Sequence, residues 1–266
     1  MGCRSTFLLP LTAAMVALIA VYLTSDTVSS ASASWTTLGA FPPRDGSSFP
    51  LPTSANSSSP PSLTTDSELL SYVKTLVPPD LDHTGAAPFD QHLKGVMSVL
   101  SSWAQPRYLQ VAGLFHSIYG TEGFQGHATP YSMRGEVSER IGGEAEKYAY
   151  WFCVVDRLTV DLSLPSLLNN GPRSLKARPE LGGFPIEMTD SEFRDFIVLT
   201  LADWLEQVES AATKANPLFL WEKGQAWTYR RSAFAQMAEI LRPGLPEAGS
   251  LYDEVMGREP EEGPCR

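Results

Sequence analysis

The sequence predicts an all-α protein. Three observations carry that reading. Apolar residues recur at helical spacing in several segments between Asp66 and Leu241. No segment makes a convincing strand. Hydrophobic residues make up 43% and charged residues 19% of the 266 positions, enough apolar material to build a buried core.

The elements follow in order. Asp66 or Ser67 caps a helix that runs to Leu76 and is stopped by Pro78-Pro79. From Gln91 to Trp103, Leu93, Val96, Met97, Leu100 and Trp103 share one face. Pro106 opens the next helix, with Tyr108, Val111, Ala112 and Phe115 on one side, so the two form a hairpin turning at Ala104-Gln105. Gly120, Gly123, Gly126 and Pro130 mark a loop. Arg134 to Leu158 reads as one helix, with Val137, Ile141, Ala145, Tyr148 and Phe152 in register. Residues 163–188 are Pro- and Gly-rich and read as a long excursion. Thr189 or Asp190 caps a helix through Lys214 with a broad apolar stripe that includes Phe193, Ile197, Leu201, Trp204 and Val208. Gly224 to Leu241 is the last helix. Glu247 to Arg266 holds six acids and two arginines and reads as a loose acidic tail.

The N-terminal quarter is different in kind. Phe7 to Leu23 is a 17-residue uncharged run, about 25 Å as a helix at ~1.5 Å per residue. That suits a signal-peptide core or a short anchor. Ala31-Ser32-Ala33 has a small-x-small cleavage pattern. Met1 to Thr6 also matches an N-myristoylation pattern, with Cys3 available for palmitoylation, but a translocated N-terminus conflicts with it and we read the match as coincidental. Residues 24–65 hold 25 Ser, Thr or Pro among 42 positions; such a segment cannot offset its ordering entropy by burial. The expected organisation is a signal peptide or anchor at 1–33, a disordered linker at 34–65, a helical domain at 66–245 and a tail at 246–266. The expected location is the secretory pathway or a membrane, with the membrane reached through the uncleaved N-terminal segment; a two-part plastid leader has similar composition.

Charge and cysteine content exclude some functions. The formal charge of −10 opposes binding to a phosphate backbone, so no nucleic-acid partner is expected. Cys3, Cys153 and Cys265 are too few and too dispersed for a disulfide framework or a Cys-rich zinc site.

The chemistry-bearing residues are histidines and acids. All four histidines, His83, His92, His116 and His127, fall within 45 residues. His92 and His116 lie 24 residues apart on the two arms of the hairpin, where antiparallel helices bring such positions face to face. They are either buried structural histidines or the start of a metal site that needs a carboxylate. Asp203 sits on an apolar helix face, where an acid is paired or bound to a cation. Asp156-Arg157 and Arg230-Arg231 read as an ion pair and as surface arginines. His83 and His127 sit in Pro/Gly-rich loops.

The stretches His92-Leu-Lys-Gly-Val-Met-Ser-Val-Leu-Ser-Ser-Trp103 and Val111-Ala-Gly-Leu-Phe-His116 resemble the first helical pair of HD-domain phosphohydrolases, above all the hydrolase domain of the RelA/SpoT alarmone enzymes. Ile141-Gly-Gly-Glu-Ala-Glu-Lys147 and Leu201-Ala-Asp-Trp-Leu-Glu206 are similar to later helices of that family. The segments Gly113-Leu-Phe-His-Ser-Ile-Tyr-Gly-Thr-Glu-Gly-Phe124, Arg140 to Glu146, Phe152 to Arg157 and Asp203 to Gln207 look closer to domain-of-unknown-function family 6817, related to HD domains. The resemblance implies an HD-domain-like helical bundle and one divalent ion (Mn, Fe or Zn) on His92, His116 and Asp203. It also implies a small-molecule substrate or ligand, of phosphorylated or nucleotide-like type. One departure matters: the His-Asp pair that defines HD domains reads His116-Ser117. Glu122 is the candidate general base, and Ser117 and Tyr119 are candidates to position substrate. A non-catalytic HD-like module that binds a ligand or a protein is the alternative.

Overall fold

A computed structural model describes residues 62–77, 88–122, 129–212 and 221–261. The expectations for a signal or anchor, for the linker up to residue 61, and for His83 and His127 lie outside these residues. Among the described residues no helix is long and apolar enough to cross a membrane.

The fold is helical, and no strand occurs among the described residues. Helix α1 (Asp66–Leu76) starts one residue earlier in its capping than expected. Thr65 is the N-cap, and its side chain and that of Glu68 satisfy each other's backbone N–H in a capping box. Helices α2 (Phe89–Ser102) and α3 (Arg107–Phe115) form the expected hairpin. Ala104 takes a positive φ of 51° in its turn, and the Gln105 N–H closes the end of α2 on the Leu100 carbonyl at 3.0 Å. The hairpin is tight because α3 carries Gly113 where the arms meet: a Cβ there would lie 2.6 Å from Leu100 Cδ1.

The single helix expected over 134–158 is broken. After a short 3-10 turn, α4 (Arg134–Ile141) ends at Gly142, whose φ of 91° ends the helical path, and α5 (Gly143–Val154) starts anew. A third piece, α6 (Arg157–Ser163), is capped by the Asp156 carboxylate on the Leu158 N–H at 2.9 Å. So Asp156 is a cap, and the expected Asp156–Arg157 ion pair is not its role.

The excursion at 163–188 is packed. It holds the one-turn helix α7 (Ser166–Asn169), and a narrow backbone ladder joins Ala177 to Phe184 and Ile186 to Leu175. Leu175, Ala177, Phe184 and Ile186 are buried. Backbone bonds from Ala177 to Phe184, from Arg178 to Val154 and from Ile186 to Leu175 pair polar groups of this Pro/Gly-rich chain where it enters the fold.

Helix α8 (Asp190–Ala212) is the axis. Thr189 and Glu192 cap its start reciprocally, and it packs against α2, α3 and α5 as well as the two last helices, α9 (Arg231–Leu241) and α10 (Pro246–Gly257). A helix with neighbours on so many sides needs apolar residues around most of its circumference, and Phe193, Ile197, Leu199, Leu201, Trp204 and Val208 supply them. Trp204 stacks on Phe234 of α9 at 4.1 Å between ring centroids.

Helix α10 corrects the expected loose tail. Ala248 and Val255 are buried in the core, and Glu259 receives a bidentate pair from Arg231 at 2.5 and 2.6 Å. Six acids in twenty residues suggested solvation, but Glu247, Asp253 and Glu254 lie exposed on α10 while its Ala248 and Val255 face the core. The last helix also begins later than expected, at Arg231, after turns through 222–230.

Candidate metal centre

Three elements deliver the site. His92 is in the first turn of α2, His116 follows the last residue of α3, and Asp203 lies midway along α8. The hairpin sets the two imidazoles together, and α8 crosses them. All three side chains are buried, at 2%, 1% and 6% exposure.

Their donor atoms converge. His92 Nε2 and His116 Nε2 are 3.3 Å apart, and they lie 3.2 Å and 3.1 Å from the same oxygen, Asp203 Oδ1. Ligand atoms on one metal at ~2.1 Å, separated by angles of ~90–109°, stand about 3.0–3.4 Å from one another. The triangle has those dimensions. Two imidazoles and one carboxylate on one side of an ion also make the donor set of a facial-triad site, with further positions left for water or substrate.

The outer nitrogens fix the tautomers. His116 Nδ1 donates to the Gly113 carbonyl at 2.7 Å, and a carbonyl can only accept, so the proton is on Nδ1. His92 Nδ1 pairs with the Glu206 carboxylate. The inner Nε2 atoms of neutral imidazoles therefore present lone pairs to each other and to Asp203. Such a triangle needs a positive charge at its centre, either a proton or a metal ion. In the protein alone the proton is held on His92. Burial works against the imidazolium, but the hydrogen bonds to Asp203 and Glu206 outweigh it and raise the group to about 9. Burial likewise disfavours the Asp203 carboxylate, and the hydrogen bonds from His116 and His92 overcome it, holding Asp203 well below the usual carboxylate range.

Further residues support the triad. The Cys153 thiol donates to the His116 carbonyl at 3.0 Å, and burial pushes that thiol up to about 12, so it is a packing group and not a nucleophile. The Phe152 ring meets the His116 ring edge-on at 4.9 Å. The Gln207 amide donates to Asp203 Oδ1 at 3.1 Å. Gly95 leaves room for Glu206: a Cβ on it would meet Glu206 Cγ and Cδ at 2.7 Å.

Glu206 was not singled out from the sequence, although a signal was present. Asp203 and Glu206 are three residues apart on one helix, so they share a face. Once Asp203 faces His92, Glu206 must be near it.

The remaining candidates divide. Glu122 is exposed, at the edge of the site, and its carboxylate accepts from the Arg157 backbone N–H at 3.1 Å. Ser117 is buried beside His116, with no side-chain hydrogen bond among the described residues. The Tyr119 hydroxyl is committed elsewhere. It donates to Glu146 at 3.0 Å, and Glu146 is held bidentately by Arg134 at 2.6 and 2.8 Å, Tyr119 and Glu146 being buried and Arg134 partly so. Arg230 and Arg231 are not surface arginines: Arg230 is 5% exposed and grips Asp161, and Arg231 grips Glu259.

The model of a family described as a domain of unknown function (DUF6817) matches residues 72–157. That span carries His92, His116 and Arg157, and ends before Asp203 and Glu206. No curated protein and no solved structure matches the chain.

Proposed function

We propose that this domain is an HD-like, divalent-metal-dependent hydrolase of a small molecule, with His92, His116 and Asp203 holding one Mn, Fe or Zn ion. The observation that carries the reading is the geometry of the triad: three donor atoms 3.1–3.3 Å from one another, with both outer imidazole nitrogens already engaged. A divalent ion there supplies a Lewis acid and a water acidified towards neutral pH. Glu206 orients His92 and raises its basicity as a ligand. Glu122, exposed at the edge, is the group available to accept a proton. Ser117, in place of an HD-domain aspartate, leaves the site one carboxylate short of a two-metal arrangement, so one ion is proposed.

The second reading is a non-catalytic HD-like module that binds a ligand or a protein. Ser117 and the engagement of Tyr119 with Glu146 favour it, because they remove two groups that would face a substrate. Metal content separates the readings. The full chain, purified without chelator, is expected to carry close to one equivalent of metal and to lose it in His116→Ala. Substoichiometric metal that is indifferent to that substitution removes the hydrolase reading.

A further inference from the structure

Helix α6 carries apolar residues on two opposite sides. Val160 and Leu164, one turn apart, face the core and are buried. Leu158 and Leu162, also one turn apart, face outward and are 63% and 72% exposed. One apolar stripe is enough to hold a surface helix on its core, so the outer pair contributes nothing to the fold of the single chain.

The outer pair has company. Asp161 of the same helix holds Arg230 through Nε and Nη2 at 2.9 and 2.6 Å, which pins the neighbouring Tyr229 beside α6. The Tyr229 ring stacks on the buried Trp227, with centroids 6.1 Å apart, and is itself 57% exposed. Among the described residues, the large hydrophobic side chains that lie mostly in solvent are Leu158, Leu162, Leu168 and Tyr229, and three of them belong to α6 and α7. Apolar exposure gathered in one place marks a contact surface. Both signs of charge stand at the start of α6. Arg157 has no hydrogen bond or ion pair from its side chain among the described residues, and its guanidinium carbon lies 5.3 Å from the Phe152 ring. Glu122 is exposed, and among the described residues its carboxylate accepts only the Arg157 backbone N–H, at 3.1 Å.

We propose that the outer face of α6, with Leu158 and Leu162 at its centre and Tyr229 at its side, is the contact by which two copies of this chain pair about a two-fold axis. The occupant follows from the charges. A two-fold contact presents every group twice, so Arg157 of each copy can meet the partner's Glu122. A patch that holds one unpaired cation and one exposed acid is thereby complementary to itself, whereas a surface made for anionic lipid gathers cations alone. The net charge of −10 opposes association through a face without such a pairing. The apolar centre is small, so the dimer is weak, with a Kd on the order of micromolar. The inference goes beyond the hydrolase reading and needs no metal, although both use Glu122.

The experiment is sedimentation velocity of the full chain over a concentration series, in the presence of chelator so that the outcome is independent of metal. Wild type is expected to pass from monomer to dimer as concentration rises. Leu162→Asp, which puts a charge in the apolar centre, is expected to weaken pairing by about tenfold or more. Its thermal midpoint is expected to match that of the wild-type monomer, because Leu162 lies in solvent in the single chain. A charge swap tests the arrangement. Arg157→Glu and Glu122→Arg are each expected to weaken the dimer, and the two together to recover it in part. Arg107→Glu, at an exposed pair with Asp66, is the control and is expected to pair as wild type. If Arg157→Glu unfolds the chain by removing its contact with Phe152, Leu162→Asp carries the test by itself. A wild type that stays monomeric at every concentration overturns the proposal. Self-association indifferent to Leu162→Asp overturns it as well, and a double charge variant no better than its two parents overturns the two-fold arrangement. A monomeric chain that binds phosphatidylcholine vesicles through Leu162 overturns it in favour of a lipid surface.

Discussion

Glu206 holds the outer nitrogen of His92 while Asp203, one turn earlier on the same helix, faces the inner one. One helix thus grips a single imidazole at both ends. Removing Glu206 frees the ring without emptying the core, because its side chain is only partly buried and water can take its place. Glu206→Ala is expected to lower metal affinity by about 10–100-fold with the fold intact. A competition titration against a chelating dye measures it. Gly95→Ala is expected to act in the same direction, since the new methyl occupies the space that Glu206 uses. An unchanged affinity in both variants would mean that Glu206 does not orient a ligand.

The His92 proton gives the metal-free protein a pH-dependent stability. The imidazolium is raised from 6.5 to about 9 in the folded chain. Its stabilising contribution is therefore complete below pH ~6.5 and is lost as pH rises through about 9. It is expected to be on the order of 2–3 kcal/mol, read as a fall in thermal midpoint between pH 6 and 10. A metal that replaces the proton removes this dependence, and binding at pH 7–8 is expected to release about one proton. Calorimetry in buffers of different ionisation enthalpy counts it. A thermal midpoint that rises over this range in the metal-free chain contradicts the protonated triad.

Gly113 serves both packing and the site. A Cβ there presses on Leu100 Cδ1 at 2.6 Å and on Val96 Cγ1 at 3.2 Å, and the Gly113 carbonyl holds His116 Nδ1. Gly113→Ala is expected to pry the hairpin apart at a cost of about 1–3 kcal/mol. Urea denaturation measures that cost, and metal affinity falls with it because the wedge lies one turn from His116.

Tyr119 separates a structural from a catalytic role. Its hydroxyl completes the buried Glu146–Arg134 pair. Tyr119→Phe is expected to cost about 1 kcal/mol of stability and to leave metal binding unchanged. Arg134→Ala leaves the Glu146 carboxylate buried without its cation, and is expected to cost about 3–5 kcal/mol. A Tyr119→Phe chain of full stability that no longer binds metal would move Tyr119 into the candidate site.

Truncation tests the C-terminal boundary. A chain ending at residue 245 loses the buried Ala248 and Val255 and strands Arg231 without Glu259. It is expected to aggregate or to unfold at markedly lower temperature, as measured by size exclusion and thermal melting.

The helical class, the α2–α3 hairpin and the convergence of His92 and His116 were legible because they rest on local signals. Apolar spacing sets a helix face, Pro106 starts an arm, and a short turn forces the arms antiparallel. The break at Gly142 was missed because apolar residues stay in register across it, and a glycine is tolerated inside many helices until its φ turns positive. Helix α10 was missed because acid content outweighed periodicity in a segment whose buried positions are few and small.

What the sequence alone determined is therefore a helical chain with two histidines on facing arms and an acid on a third, apolar helix. Only the tertiary structure decided that Asp203 offers a single oxygen to both imidazoles, that Glu206 locks one of them, and that Arg230 is held by Asp161. Those relations join residues up to 114 positions apart. Periodicity reports which face of a helix is buried, whereas the partner across the interface is chosen by packing and charge compensation, which no local pattern encodes.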